Sequence, residues 1–299
     1  MRLMFLTLKR HCRLTACIGA LLCSTAANSL CPDDATVDKY LAAFAKGVST
    51  TGFGSGLSES DAECAKFKLA KKLPKHLGAL SGYKIGFVTQ NSRMAYNTEQ
   101  PRWGFMFERN LIDIIAVIPA NFGAYPLFDA NLLIEVKDEG LAESTSPLEA
   151  LKHIDSVMPF IELSDLMLSG THTANEWVAT NLSFRGGIKG AEIPVQATQD
   201  FADALATLKV RMVDESRDGI ELGSGQADVL MGHPLNAAIW LAKALKQAGI
   251  KLKAGDLLSL GSLIEPQQPH AGMKIKIHYQ GLGNSSELAV EFTEAFDRQ

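Results

Sequence analysis

The stretch from Gly232 to Gly261, GHPLNAAIWLAKALKQAGIKLKAGDLLSLG, predicts one compact helix–turn–strand unit. Pro234 supplies the fixed φ of a first helical turn, and apolar residues then recur at helical spacing. Gly249 predicts the end of the helix, and Gly255 predicts a turn into the apolar strand that closes the unit. We therefore expect a buried helix beside a buried strand near the carboxyl end of the fold.

The first 27 residues have the pattern of a signal peptide. A basic region that ends at Arg13 precedes a short apolar run, residues 14–23, and then small residues. The apolar run is too short to span about 30 Å of hydrocarbon as an anchor. A buried N-terminal helix is the alternative. We expect export to the periplasm or the medium, with cleavage near Ala27.

The net charge excludes some classes of partner. The formal charge is −4, and residues 1–27 hold four basic and no acidic side chains, so their removal leaves −8. An acidic surface is repelled by phosphate backbones and by anionic lipids. We therefore expect neither a nucleic acid partner nor a stable membrane anchor.

Cysteine usage agrees with export. Of the five cysteines, three lie within residues 1–27, which leaves Cys31 and Cys64. In an oxidising compartment this pair predicts a disulfide, and two buried free thiols are the alternative. The sequence has no Cys-x-x-Cys and no His-Glu-x-x-His, so neither type of zinc site is supported.

The remaining chain predicts a helical segment, residues 28–80, followed by one larger domain, residues 81–299. In that domain, strands are predicted at 83–88, 111–118, 127–136, 274–279 and 288–292, and helices at 147–157, 198–208 and 236–248. Strands and helices in irregular order, without repeated βαβ units, favour an α+β fold over a doubly wound sheet. With 46% hydrophobic residues, the chain can bury a sizeable core.

Two separate motifs carry a family resemblance. Residues 83–86 read Tyr-Lys-Ile-Gly and are followed by Glu-Gln-Pro at 99–101, whereas Gly-His-Pro-Leu-Asn at 232–236 precedes a Gly-Asp and a Gly-Ser. In this order they resemble the 2-keto-4-pentenoate hydratase branch of the fumarylacetoacetate hydrolase superfamily, over roughly residues 60–299. The resemblance implies that superfamily's mixed β-roll around a deep pocket, with an N-terminal helical preface packed on it.

The resemblance also implies a divalent cation, Mg²⁺ or Mn²⁺. Family members hold it on a Glu-x-Glu or Glu-x-Asp of one strand and on a later Glu, and the matching positions are Asp129, Asn131 and Glu162. Residues i and i+2 of a strand face the same side, and these cations prefer hard oxygen ligands. Asn131 removes one formal charge, which predicts a weaker site. The alternative is a degenerate site that binds no metal.

Five further residues match the family's pocket positions. Lys84 and Glu99 are the candidate acid–base residues, and Asn181, Ser183 and Ser262 are the candidate substrate-binding residues. A buried lysine can hold a substrate carboxylate or move a proton. Glu99 could equally be a turn residue, and Asn181 could equally cap a helix or strand.

The resemblance implies a lyase that adds water to a 2-hydroxy-2,4-dienoate, or that acts on a related 2-oxo acid, by metal-stabilised enolate chemistry. A decarboxylase of the same branch is one alternative. An exported binding protein without the metal is another, because Asn131, Thr180 and Leu260 each remove a polar or charged group from a family position. Family members are often oligomeric, which implies a homo-oligomer.

Overall fold

A computed structural model describes residues 31–113, 116–282 and 286–294 of the 299-residue chain. The predicted signal peptide and its cleavage point near Ala27 lie outside these residues. Within the described ranges, no helix is both long enough and apolar enough to span a bilayer.

The amino-terminal part is helical. Its helices are α1 Asp34–Lys46, α2 Glu59–Lys72 and α3 Pro74–Leu77. The side chain of Asp33 accepts a hydrogen bond from a backbone N–H in the first turn of α1, and Ser58 does the same for α2. A disulfide joins Cys31 to Cys64, whose Cα atoms lie 5.7 Å apart. The expected pairing is confirmed, and it ties the chain ahead of α1 to α2.

Two mixed sheets form the body of the fold. The strands are β1 Leu80–Gly86, β2 Arg102–Phe107, β3 Leu111–Asp113, β4 Ala116–Pro119, β5 Pro126–Val136, β6 Ile154–Asp165, β7 Phe184–Lys189, β8 Ile193–Pro194, β9 Lys209–Asp214, β10 Ile220–Gln226, β11 Leu257–Ser262, β12 Lys274–Gln280 and β13 Ser286–Thr293. The larger sheet has the order β2-β1-β11-β5-β6-β7-β3, with β8 paired to β6, and the smaller sheet has the order β10-β9-β12-β13-β4. Parallel and antiparallel pairs are mixed in both sheets, which confirms the α+β class.

Five α-helices of the described chain lie between the strands: α4 Gln90–Ala95, α5 Pro147–Ala150, α6 Ala174–Ala179, α7 Gln199–Ala206 and α8 Pro234–Gln247. Of these, α8 packs on β1 and β11 of the larger sheet, while α6 packs on β2. His233 caps α8, since its Nδ1 accepts from the N–H of Leu235 at 3.0 Å and its Nε2 lies 3.0 Å from the carbonyl oxygen of Ala202. Burial lowers the pKa of His233, which favours the neutral ring that this cap requires. Gly249 takes φ 77° just after the helix, as expected of a terminating glycine.

Two predicted elements are wrong in extent. The strand predicted at 111–118 is two strands, because β3 pairs with β7 in the larger sheet and β4 pairs with β13 in the smaller one. The helix predicted at 147–157 ends at Ala150, and β6 begins at Ile154 after a 3₁₀ turn. Since β6 pairs with β5 over its whole length and is buried on both faces, sheet pairing outweighs the local helical pattern there.

Candidate functional site

Four neighbouring strands of the larger sheet, β1, β11, β5 and β6, bring polar side chains into one row. The facing pairs are Lys84 with Ser259, Ser262 with Asn131, and Asp129 with Glu162. Residues that face each other on adjacent strands project to the same side of a sheet. The register therefore places Lys84 and the three predicted metal ligands together, as the sequence predicts.

Lys84 is the cation of this group, which we call the polar cluster (Lys84, Asp129, Asn131, Glu162 and Ser259). Its ammonium forms an ion pair with the Glu162 carboxylate and donates to the carbonyl oxygen of Leu182 at 3.2 Å. Both charged side chains are 6% exposed. These two contacts fix the position of the Lys84 Nζ at the floor of the site.

Asn131 links the other members of the polar cluster. Its amide nitrogen donates to the Asp129 carboxylate, and its amide oxygen lies 3.3 Å from the hydroxyl of Ser259. The same hydroxyl lies 3.5 Å from Glu162 Oε2. The buried polar atoms of the cluster are thus connected through one hydrogen-bonded network.

The polar cluster carries excess negative charge. Burial raises the pKa of Asp129 well above its usual range, and the neighbouring Glu162 carboxylate raises it further, whereas Lys84 opposes this effect. With both carboxyl groups ionised the buried cluster has a formal charge of −1, and the raised pKa of Asp129 shows that this negative charge is unfavourable without a cation. A bound cation would relieve this repulsion.

The oxygen donors of the cluster fit a divalent cation by their chemistry. In the described residues, no three His, Cys, Asp or Glu side chains are grouped to hold a metal ion. The cluster supplies two carboxylates, Asp129 and Glu162, and the amide oxygen of Asn131 completes the set. All three are hard donors of the type that Mg²⁺ and Mn²⁺ bind, and the excess negative charge favours a dication. The set corresponds to the weaker site expected from the sequence.

A left-handed turn supports the floor of the site. Asn181, Leu182 and Ser183 have φ values of 62°, 53° and 56°, an arrangement that costs about 1 kcal/mol or more per non-glycine residue. The turn directs the Leu182 carbonyl oxygen at Lys84. The Asn181 side chain accepts from the N–H of Phe105 at 2.7 Å and donates to its carbonyl oxygen at 2.9 Å. Both polar groups of Asn181 thus contact the backbone of β2.

A cleft of about 840 Å³ opens over the polar cluster. Ser183 and Ser262 line it, together with Lys84 and the three predicted ligands. The Ser183 hydroxyl donates to a backbone carbonyl at 2.6 Å, and Ser262 also donates to a backbone carbonyl. Glu99 is exposed on the segment after α4 and is not among the lining residues, so its acid–base role stays a prediction.

Ser259 is a site residue that the sequence analysis missed, because it was assigned to an apolar strand. The pairing register shifts between Ser259 and Ser262, and this β-bulge lets Ser262 line the cleft while the buried Ser259 hydroxyl bonds to the rest of the polar cluster. Gly261 makes the bulge, with φ 102°, and a Cβ there would lie 2.6 Å from Val88. The one polar residue in the apolar run Leu-Leu-Ser-Leu-Gly was the sequence feature that could have identified Ser259 as a site residue.

Tyr279 of β12 was also missed. Its hydroxyl lies 2.9 Å from the Asn131 carbonyl oxygen and 3.1 Å from that of Phe160, so it bridges β5 and β6 behind the cluster. Burial raises the pKa of this phenol above its usual range. The neutral hydroxyl therefore holds the two ligand-bearing strands in register.

Comparison with known proteins identifies relatives of the expected kind. No family model matches the chain. It is 26% identical over 222 residues to 2-hydroxyhexa-2,4-dienoate hydratase of Comamonas testosteroni, covering 71% of this chain and 78% of that protein. It is 26% identical over 210 residues to 2-keto-4-pentenoate hydratase 1 of Dechloromonas aromatica, covering 70% of this chain and 77% of that protein. It is 24% identical over 228 residues to 4-oxalocrotonate decarboxylase of Pseudomonas putida, covering 76% and 84%.

Solved structures show the same fold. The 4-oxalocrotonate decarboxylase from Pseudomonas putida G7, complexed with magnesium and adipate, matches with a TM-score of 0.74 at 19% identity, over 86% of this chain and 96% of that one. The same enzyme with calcium and acetate gives a TM-score of 0.73 at 20% identity, with the same coverage. The predicted resemblance and the predicted fold are confirmed.

Proposed function

We propose that this protein is a lyase that acts on a small 2-hydroxy-2,4-dienoic or 2-oxo acid. Its similarity to 2-keto-4-pentenoate hydratases and to 4-oxalocrotonate decarboxylase supports this. One observation carries the proposal. The register of β5 and β6 sets Asp129 opposite Glu162 under an open cleft, and Lys84 forms an ion pair with Glu162.

We propose that Asp129, Asn131 and Glu162 hold a divalent cation, which would supply positive charge at the C2 oxygen of the acid, where negative charge develops during the reaction. Lys84 would bind the carboxylate of the acid or transfer a proton near it, since its Nζ is fixed at the cleft floor. Ser183 and Ser262 present hydroxyls to the same cleft.

Proton transfer by Glu99 remains part of the proposal, although the residue lies on the exposed segment that follows α4. The role requires this segment to approach the cleft when substrate binds. α4 already lines the cleft, so the segment is anchored close to it at one end.

A metal-free acid-binding protein is a second candidate function, and the internal pairing of the cluster favours it. The Lys84 ammonium already pairs with one carboxylate, and the amide of Asn131 already donates to the other, Asp129. A site whose members satisfy one another can remain folded and functional as a binding site without a metal.

Calorimetric titration of the mature protein with Mg²⁺ and Mn²⁺ separates the two functions. We expect saturable binding by the native protein, tighter binding by Asn131→Asp because one charge is restored, and none by Glu162→Gln. Turnover of 2-hydroxy-2,4-dienoic and 2-oxo acids is then assayed with the metal that binds. Absence of binding by both the native protein and Asn131→Asp would contradict the metal-dependent lyase and leave the metal-free binding protein.

We further propose that the chain is exported with cleavage near Ala27. The signal-like pattern of residues 1–27 and the Cys31–Cys64 disulfide support this, because disulfides persist in oxidising compartments. Expression of the full chain in a Gram-negative host, followed by fractionation and intact-mass measurement, tests it. An uncleaved chain in the cytoplasm, with Cys31 and Cys64 as free thiols, would contradict it.

A further inference from the structure

The wall of the cleft is nearly free of charge outside the polar cluster. Among the described residues that line the cleft, the charged ones are Lys84, Asp129 and Glu162 of the cluster and one more, Glu265. Glu265 is exposed on the loop that follows β11. The charge that a bound molecule meets away from the cluster is therefore negative.

The cationic side chains near the cleft, Arg93 and Lys84, bond to other groups of the protein. Arg93 of α4 donates to the carbonyl oxygens of Phe87 at 3.3 Å and Val88 at 2.6 Å, and it does not line the cleft. Lys84, the cation that does line the cleft, is paired with Glu162. A second carboxylate on a substrate would meet no lysine or arginine side chain in the described wall other than Lys84. Only neutral donors such as Gln90 and Asn91 could replace its hydration, and they supply no opposite charge.

The same wall suits an uncharged tail. Phe87 and Tyr96 line it with ring centroids 4.9 Å apart, and Trp177, Leu166 and Leu263 add further apolar surface. A cleft of about 840 Å³ has room for a molecule well beyond five or six carbons, since ligand pockets of roughly 300–1,000 Å³ enclose drug-sized molecules. Apolar contact along this wall would contribute to binding in proportion to the area buried.

We propose that the cleft selects monocarboxylic acids with an uncharged, largely apolar tail, and that Glu265 is the residue that rejects dicarboxylates. This inference rests on the proposed function, and it refines the class of acid that the site accepts. It also sets this chain apart from the structural neighbour that was solved with adipate, a dicarboxylate. Specificity here comes from a repulsive charge as much as from apolar contact.

The test compares two six-carbon acids that differ only at the far end, 2-oxohexanoate and 2-oxoadipate, by calorimetry on the mature protein with Mn²⁺. We expect the monoacid to bind at least about tenfold more tightly. Glu265→Lys should strengthen binding of the diacid by about tenfold and leave the monoacid nearly unchanged. Glu192→Lys is the matched control, because it makes the same charge change at an exposed residue that does not line the cleft.

The outcomes separate this inference from the proposed function. Equal or tighter binding of the diacid by the native protein would overturn the inference and leave the lyase proposal standing. An equal effect of Glu265→Lys and Glu192→Lys would overturn the role of Glu265. Failure of both acids to bind would overturn the proposed function and the inference together.

Discussion

Two lysines of the described chain are almost fully buried, and they lie in very different surroundings. Lys84 is 5% exposed at the floor of the cleft, and Lys66 of α2 is 0% exposed beneath β2. Each pairs with a glutamate and each donates to a backbone carbonyl. Burial and pairing are therefore common to both and cannot by themselves identify a functional lysine.

The difference lies in charge balance and access. Lys66 forms an ion pair with Glu63, lies 3.3 Å from the centre of the Trp103 ring and does not line the cleft over the polar cluster. Lys84 belongs to a cluster with a second carboxylate, Asp129, and it lines the cleft. The comparison indicates that unbalanced charge facing a cavity distinguishes a candidate site from a structural ion pair.

The largest effect that this comparison predicts is on catalysis. Lys84→Met should lower the turnover of the accepted acid by about a thousandfold or more, because it removes the cation that holds or protonates the substrate. It should also lower the free energy of unfolding, because the buried Asp129 and Glu162 carboxyl groups lose their cation, so turnover is expressed per folded molecule. Steady-state kinetics and urea unfolding of the same variant check both expectations. A Lys84→Met protein with native turnover would remove the functional distinction between the two lysines.

The Cys31–Cys64 disulfide, close to Lys66 on α2, should affect stability and not turnover. The disulfide closes a loop with a sequence separation of 33. The free energy of unfolding of the Cys31→Ser/Cys64→Ser double variant should therefore be about 3–4 kcal/mol lower than that of the native protein. Turnover by the folded fraction should stay within about twofold, since neither residue lines the cleft. Chemical unfolding of the oxidised and reduced native protein is the matched control. A large loss of turnover at full folding would show that the helical segment shapes the site.

Substitution of the structural lysine, Lys66, should lower stability without lowering turnover. Lys66→Ala should cost about 3 kcal/mol of folding free energy, because it removes the contact with the Trp103 ring and leaves a buried cavity. Turnover per folded molecule should remain near that of the native protein. Circular dichroism melting and active-site kinetics on the same preparation measure the two effects. Loss of turnover without loss of stability would contradict the structural role of Lys66.

A smaller effect concerns alkaline pH. Burial lowers the pKa of Lys66 to about 8, and Glu63 only partly opposes this shift. Between pH 8 and about 10.5 the unfolded chain binds this proton and the folded chain does not, so the free energy of unfolding should rise with pH, by on the order of 2 kcal/mol. Lys66→Met removes that rise. The free energy of unfolding is measured against pH for the native protein and for this variant, and the difference between the two curves is the contribution of Lys66. Parallel curves from pH 7 to 10 would contradict the assigned shift.

Sequence patterns located the parts of the site that depend on strand periodicity and short motifs. The spacing of Asp129 and Asn131 on β5 placed both on one face, and the motif around Glu162 placed the third ligand position opposite them. The Tyr-Lys-Ile-Gly motif likewise placed Lys84 at the cluster. The shared face of Asp129 and Asn131 is a local feature of a strand, whereas the placement of Glu162 and Lys84 in the same site was implied by the family resemblance.

What the sequence did not predict depends on long-range geometry. Ser259 bonds to the rest of the polar cluster and Ser262 lines the cleft because of a bulge at Gly261, and a period-two pattern cannot show which way a bulged strand turns its side chains. The helix expected at 147–157 gave way to β6, whose pairing with β5 cannot be read from local periodicity. The backbone contacts of Asn181 depend on a strand 76 residues away.

The most direct test of the site is a crystal structure of the mature protein grown with Mn²⁺ and a 2-oxo monocarboxylate, with the metal located by its anomalous signal. We expect one manganese peak bound by oxygens of Asp129, Asn131 and Glu162, with the acid between that ion and Lys84. A manganese peak elsewhere, or an acid bound over an unchanged polar cluster without metal, would contradict the metal-dependent account of this site.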